Sequence, residues 1–462
     1  MMNRILGFLE FFEIPQEEAE TVCEDFANLL ALMDIDERVL DQSIVNWKKI
    51  PYDVHLKGVR RFLGLVIREA VALAGLSKLR EKGVKIVYAY VQLHLPILQA
   101  LRRAGKGRIF ASTPDMVLAT FERMILFSDK IREYNYSVGW NPSCRHCLLN
   151  GSRFVYIKRG ILPPPDLYIG ASAVCDEAGK MDEMIKMQTG LEWESVLLKM
   201  PGDFESPGSY ENSMAYLKAG ISEVFNAAEK WGISVDEKCI DESLAWWRHL
   251  SIQVYGLNSY VSKAPLQPMG GAALALVSSG LVMFMDTGSD SLPGVIKNLS
   301  GELKTAVRDK RGILPEGSPK VGFYFMPYLY PQIEKVFRKN GVATVFSAVF
   351  ASMIPDESGV EAMDGIESLA KLWMRLPMAA GFFTESDALI SAIKKFEPSA
   401  MVYGFLDFDR RMGTHGKMLV AKTTEECGIP AWLMSGDFWN PDSMNTFAAA
   451  DRLESLCRII KR

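Results

Sequence analysis

The stretch from Val84 to Ser112, VKIVYAYVQLHLPILQALRRAGKGRIFAS, decides the fold class. Its first run, VKIVYAYV, is β-branched and aromatic and reads as a short strand. Pro96 then opens a helix, ILQALRRAGK, since the first helical turn leaves unused the amide hydrogen that proline lacks. RIFAS after it is a second strand. The same texture returns from Lys320 to Phe350, where KVGFYF precedes Pro331, the helix QIEKVFRKNG and the strand VATVFSAVF. Both copies place proline at the helix entry and Lys or Arg followed by glycine near its exit, so the chain reads as an internal duplication of an α/β unit.

Each copy continues to a further strand of matching form. The first is PDLYIGASAVCD, Pro165 to Asp176, and the second is PSAMVYGFLDFD, Pro398 to Asp409. Both end in polar side chains. A last strand, Ile429 to Met434, leads to Ser435-Gly436-Asp437, and a helix from about Asn445 to Arg458 closes the chain. Before the first copy, apolar residues recur at helical spacing through Phe26, Leu29 and Leu30 and again through Val59, Phe62, Leu63 and Val66. Between the copies, Tyr210 to Gly312 reads as mostly helical. The expected divisions are a helical N-terminal segment 1–82, an α/β half 83–200, a helical insert 201–317 and a second α/β half 318–462. Repeated βαβ units imply parallel sheets, whose ligands sit beyond the carboxyl ends of the strands. That rule aims Cys175 and the Asp407/Asp409 pair at a common mouth if the halves face each other.

Composition narrows the function classes. The 462 residues are enough for about three domains. Lys plus Arg number 52 against 56 Asp plus Glu, and the net charge of -4 argues against nucleic acid as the main partner. Seven cysteines, sparse and odd in number, point to a reducing compartment. The apolar N-terminal patch is interrupted by Glu10 and Glu13 and does not read as a signal peptide, and Gly270 to Met285 is too short for a membrane span and reads as a buried helix. A cytoplasmic protein without a membrane partner is expected.

Cys144-Arg-His146-Cys147, followed by Cys175 at a strand end, is the most informative chemical pattern. Thiolates on loops and strand ends suit an iron–sulfur cluster or zinc, but a redox dithiol and unligated thiols stay open on spacing alone. Cys23, Cys239, Cys427 and Cys457 lie in helical or pre-strand patterns and are expected in packing. His415, in RRMGTHGK, reads as a loop between a strand and a helix, either solvated or holding an anion with Arg410, Arg411 and Lys417. His249, beside Trp246 and Trp247, reads as packed or surface. There is no Walker-type phosphate loop, no G-x-G-x-x-G after either first strand and no G-x-S-x-G elbow, so nucleotide hydrolysis, NAD chemistry and serine hydrolysis have no support.

RGILPPPDLYIGASAVCDEAGKMDEMI, with Cys147 upstream and ECGIPAWLMSGDFWNPDSMN near the C-terminus, resembles the 2-hydroxyacyl-CoA dehydratase and ATP-dependent benzoyl-CoA reductase family. The resemblance runs from about Lys82 to the C-terminus. It implies an α/β chain of two flavodoxin-like domains with a helical N-terminal segment and a helical insert. It also implies an oxygen-sensitive, heteromeric, metal-binding complex in which cysteines hold a [4Fe-4S] cluster. The implied partners are a paralogous cluster-bearing sister subunit, an ATP-dependent iron–sulfur activator that donates low-potential electrons, and an acyl-CoA substrate. The implied activity is that of an oxidoreductase of the benzoyl-CoA reductase type, or of a 2-hydroxyacyl-CoA dehydratase. Cys147 and Cys175 match two ligand positions, whereas the third family cysteine is replaced by Asp407-Phe-Asp409-Arg410. Either Asp409 or Cys144 then completes the metal site, or the chain has lost its cluster and supports its partner structurally; a structural zinc protein is the third possibility. Arg410, Arg411 and Lys417 become candidates for CoA phosphates or a ketyl oxygen. Trp246, Trp247, Phe438 and Trp439 are expected on the pocket side, which favours the reductase.

Overall fold

The computed structural model describes residues 2–90, 95–139, 148–172, 178–199, 206–324, 331–348, 365–375, 381–406, 410–436 and 446–461. The fold is α/β, with two four-stranded, all-parallel sheets. The first contains β1 (Lys85–Ala89), β2 (Ile109–Ser112), β3 (Leu167–Ser172) and β4 (Glu194–Lys199) in the order β2-β1-β3-β4. The second contains β5 (Lys320–Tyr324), β6 (Ala343–Ser347), β7 (Ala400–Leu406) and β8 (Ala431–Gly436) in the order β6-β5-β7-β8. The orders are identical, and both reverse direction of growth between the first and third strands, the flavodoxin-type switch point. β4 had no counterpart in the reading of the sequence; it holds the position in the first sheet that β8 holds in the second.

The duplication extends to single residues. Gly107 (φ 86) and Gly341 (φ 64) both adopt the left-handed backbone that ends the first helix of each half before β2 and β6. Across each switch point two tyrosines are paired in register, Tyr88 with Tyr168 and Tyr324 with Tyr403. All four rings are buried.

Because every sheet is parallel, each crossover helix runs back against its strands. Helices that follow a strand therefore begin at the carboxyl rim of the sheet, and helices that precede one end at the amino rim. At the amino rim, the Asp166 carboxylate takes the Ile86 amide at 2.9 Å, Arg80 at 3.2 Å and Lys85 at 3.2 Å, latching β3 to β1.

The stretch between the halves does not fold as one continuous buried helix over Gly270 to Met285. A helix spans Gly271–Ser278, a 3-10 turn Ser279–Leu281, and the chain then extends so that Met285 bridges Ser112 on the open edge of β2. Serines and a glycine at 278–280 interrupt the helix, and the edge amides of β2 supply the competing partners. The Ala111 amide donates to Asp286 at 3.0 Å and the Phe284 amide to Thr113 Oγ1 at 2.9 Å. Upstream, the same stretch covers β6: Asn258, on the long helix Glu237–Lys263, accepts the Ser347 amide, and Gln267 donates to the Thr344 carbonyl. One run of chain thus seals the outer edge of both sheets. Among the described residues no helix is long and apolar enough to cross a membrane.

Candidate functional site

In an open parallel sheet the crevice at the switch point is where ligands bind. In the second half, the described residues at that point form a polar chain. Tyr324, the last residue of β5, donates its hydroxyl to Glu385 Oε1, and Glu385 Oε2 lies 2.8 Å from His415 Nδ1. Glu385 sits in the first turn of the helix Phe382–Phe396, which precedes β7, where the helix dipole favours a carboxylate. His415 belongs to the helix Arg410–Cys427, which follows β7. The carboxylate side chain is 3% exposed and the imidazole 19%, so the acid is sealed while the ring keeps an open side. Phe382 meets the ring edge-on at 5.5 Å. With Glu385 accepting from Nδ1–H, the free Nε2 is an acceptor in the neutral ring and a donor in the charged one. The arrangement can orient an imidazole and pass one proton.

His415 is therefore not in a loop. Gly413 and Gly416, which argue against a helix, are where the sheet comes closest: a side chain at Gly416 would meet Leu433 at 2.8 Å and one at Gly413 would meet Phe405 at 3.2 Å. The glycines let the helix settle on β7 and β8, and that contact outweighs their low propensity.

The first half builds a corresponding clasp with the charges exchanged. Arg153, fully buried on the helix Leu148–Lys158 before β3, reaches Asp182 at 3.3 Å on the helix Ala178–Thr189 after β3. It also donates from Nε to Asp115 at 3.1 Å and stacks over the Tyr168 ring at 4.2 Å. Asp182 is further held by the Trp193 indole at 3.0 Å and the Ser195 hydroxyl at 2.5 Å. Burial pushes the Asp115 carboxyl up, against the pull of Arg153. Around this helix, both amide atoms of Asn135 and Asn150 are buried without a hydrogen-bond partner among the described residues.

The residues singled out from the sequence divide as follows. Cys144, His146, Cys147, Cys175, Asp407 and Asp409 lie outside the described residues, as do Phe438 and Trp439. The helix carrying Arg153 begins at the residue after Cys147, and β3 ends three residues before Cys175. Arg410 and Arg411 open the helix that carries His415. Lys417 is exposed, and two residues beyond His415 it points roughly 200° around the helix from the imidazole. Trp247 is buried in the core, and Trp246 donates to the Ser289 carbonyl at 3.0 Å and rests edge-on against Phe284. His249 is on the surface.

The described cysteines suit packing and not ligation. Cys23 and Cys457 are buried, burial raises all four thiol pKa values, and Cys239 is pushed up to about 11 by burial together with Asp236. Among the described residues no group of three or more His, Cys, Asp or Glu could hold a metal ion.

Glu385 and its partnership with His415 were missed from the sequence. Phe382 and Phe383 begin an ordinary amphipathic helix, and nothing in its pattern marks Glu385 as buried; only the pairing of β5 with β7 brings Tyr324 to it. A search of protein-family models and of curated proteins finds no match to this chain.

Proposed function

We propose that the chain is a subunit of an iron–sulfur acyl-CoA-reducing complex of the benzoyl-CoA reductase or 2-hydroxyacyl-CoA dehydratase type, working with a paralogous sister subunit and an ATP-dependent iron–sulfur activator. One observation carries the reading. The helix that starts directly after Cys147 and the helix that starts three residues after Cys175 are clasped by Arg153 and Asp182, each within about two turns of its helix start. Both helices begin at the carboxyl rim of the first sheet, so the chain on either side of β3 is led to one rim, as convergent thiolate ligation requires. The duplicated sheet order and the resemblance of the segment around Cys175 support the same reading.

In it, Cys147 and Cys175 hold a [4Fe-4S] cluster, with Cys144 or Asp409 as a third donor. When bound, such a cluster supplies low-potential single-electron transfer to a CoA thioester. The chain's own contribution is at the second sheet. Glu385 and Tyr324 hold the His415 ring so that Nε2 can keep or release a proton where charge develops on the acyl group. The sealed Glu385 carboxylate steadies the charged ring, and Phe382 excludes water from one edge of it.

Iron and acid-labile sulfide counted after anaerobic purification test the assignment, with about four irons per chain expected. Cys175→Ser is expected to lose the brown absorbance. His415→Gln is expected to keep iron and colour but to lower turnover about a hundredfold. Colour and iron retained in Cys175→Ser would overturn the ligand set. The missing third cysteine at Asp407-Phe-Asp409 favours a second reading, a non-catalytic or electron-transfer subunit without a complete cluster; iron-free chain in a complex with an iron-bearing sister selects it. One zinc per chain would select a structural zinc protein.

A further inference from the structure

Far from both clasps, the N-terminal helices and the second half enclose a cavity of about 550 Å³, in the range of small-molecule sites. Its walls come from four separate parts of the chain: Phe11, Lys48 to Arg60, Ile313, and the helix Pro331–Lys339. Five Lys or Arg side chains face it against the single carboxylate of Asp53, in a chain whose net charge is -4.

That carboxylate is fully engaged. Asp53 Oδ1 takes Arg338 Nη2 at 2.9 Å and Oδ2 takes the Gly270 amide at 2.7 Å. Arg338 is held from its other side by Glu334 at 2.8 Å, so the guanidinium is fixed before any ligand arrives. Arg60 is fixed in the same manner, by Glu13 at 2.5 Å and the Val54 carbonyl at 2.8 Å. The lysines differ: among the described residues no ion pair joins Lys48, Lys49 or Lys335 to a carboxylate, and Lys48 lies 5.3 Å from the centre of the Phe11 ring. The dipole of the helix Arg38–Lys49 accounts for Lys48 and Lys49 in its last turn. It does not account for Lys335, which the fold brings in from a distant helix. Like charges gathered at one concavity raise the local potential and favour a multiply charged anion.

Apart from His55, the rest of the lining is apolar, from Phe11, Ile50, Pro51, Val54 and Ile313. A bare phosphate would leave that surface unused. We infer that this cavity binds a nucleoside polyphosphate, its phosphates held by Arg60, Arg338 and the three lysines and its ring system against Phe11 and Ile313. The chain has no Walker-type phosphate loop, and the site binds without breaking a bond in its ligand.

Equilibrium dialysis of the full-length chain with ATP, ADP and inorganic triphosphate tests the inference independently of iron content or acyl-CoA turnover. Saturable ATP binding is expected, weakening at least tenfold between about 50 and about 200 mM salt. Inorganic triphosphate should bind about ten- to a hundredfold more weakly, since it buries no ring. Lys335→Glu and Lys48→Glu change exposed side chains and should each lower ATP affinity at least tenfold while circular dichroism stays unchanged. No saturable binding of ATP or ADP, or binding indifferent to both charge reversals, would overturn the site. Triphosphate binding as tightly as ATP would overturn the nucleoside assignment.

Discussion

Glu122 shows what one buried acid does to the pH behaviour of the protein. It is nearly inaccessible, accepts the Ser152 hydroxyl at 2.9 Å, and burial pushes its pKa up to about 8 from the ordinary 4.5. Between those values the folded chain keeps a proton that the unfolded chain has released, so stability falls as pH rises through the window. Glu69 shifts the same way, to about 7, mainly by burial. Above pH 7 Glu122 by itself contributes a slope of at most about 1.4 kcal/mol per pH unit. Glu122→Gln should flatten urea-unfolding stability between about pH 7 and pH 8; an unaltered slope would mean that the proton is held elsewhere. Such residues are hard to read from sequence. Glu122 and Glu385 look like any helical glutamate, and their burial is decided by which helix packs against theirs. Gly413 and Gly416 misdirect in the opposite sense, since glycines placed for close packing resemble a loop.

At the level of elements, the clasp around β3 rests on a charge that cannot be removed cheaply. Arg153 serves two carboxylates, Asp115 and Asp182, and lies over the Tyr168 ring, all at or near full burial. Arg153→Met keeps much of the volume but leaves Asp115 without its cation and Asp182 with Lys186 at 3.5 Å alone, which should cost on the order of 3–5 kcal/mol in a urea titration. Loss of less than about 1 kcal/mol would show that the carboxylates take up protons at little cost. The strands of this clasp were legible: β-branched runs, a proline at the helix entry and a glycine at its exit gave seven of the eight strands. β4 was not, because ESVLLK is short and has a lysine and a glutamate at its ends. The paired tyrosines were visible as residues but not as pairs, since strand register is fixed by tertiary contacts.

For the molecule as a whole, the run from Asn258 to Asp286 decides whether the halves behave as one body. Asn258 donates to Ser278 at 3.0 Å and to the Val254 carbonyl at 2.9 Å while accepting the Ser347 amide at 3.1 Å. Asn258→Ala strands the last amide of β6 in the interior and should lower stability by about 1–3 kcal/mol. Urea transitions followed by tryptophan fluorescence and by circular dichroism should separate in that variant if this run couples the halves; coincident transitions with unchanged midpoint would show that it does not. The sequence revealed two α/β halves joined by a mostly helical connection, but not that this connection seals the sheet edges, because hydropathy records burial and not what the buried surface is pressed against.

The exchanged polarity of the two clasps has a consequence for how the repeats have diverged. Around β3 the bridging base is a guanidinium, whose charge no physiological condition removes. Around β7 it is an imidazole, one of whose two nitrogens is taken by Glu385. One repeat is thereby closed on itself, while the other keeps a partly open ring whose second nitrogen is held in reserve for an incoming molecule.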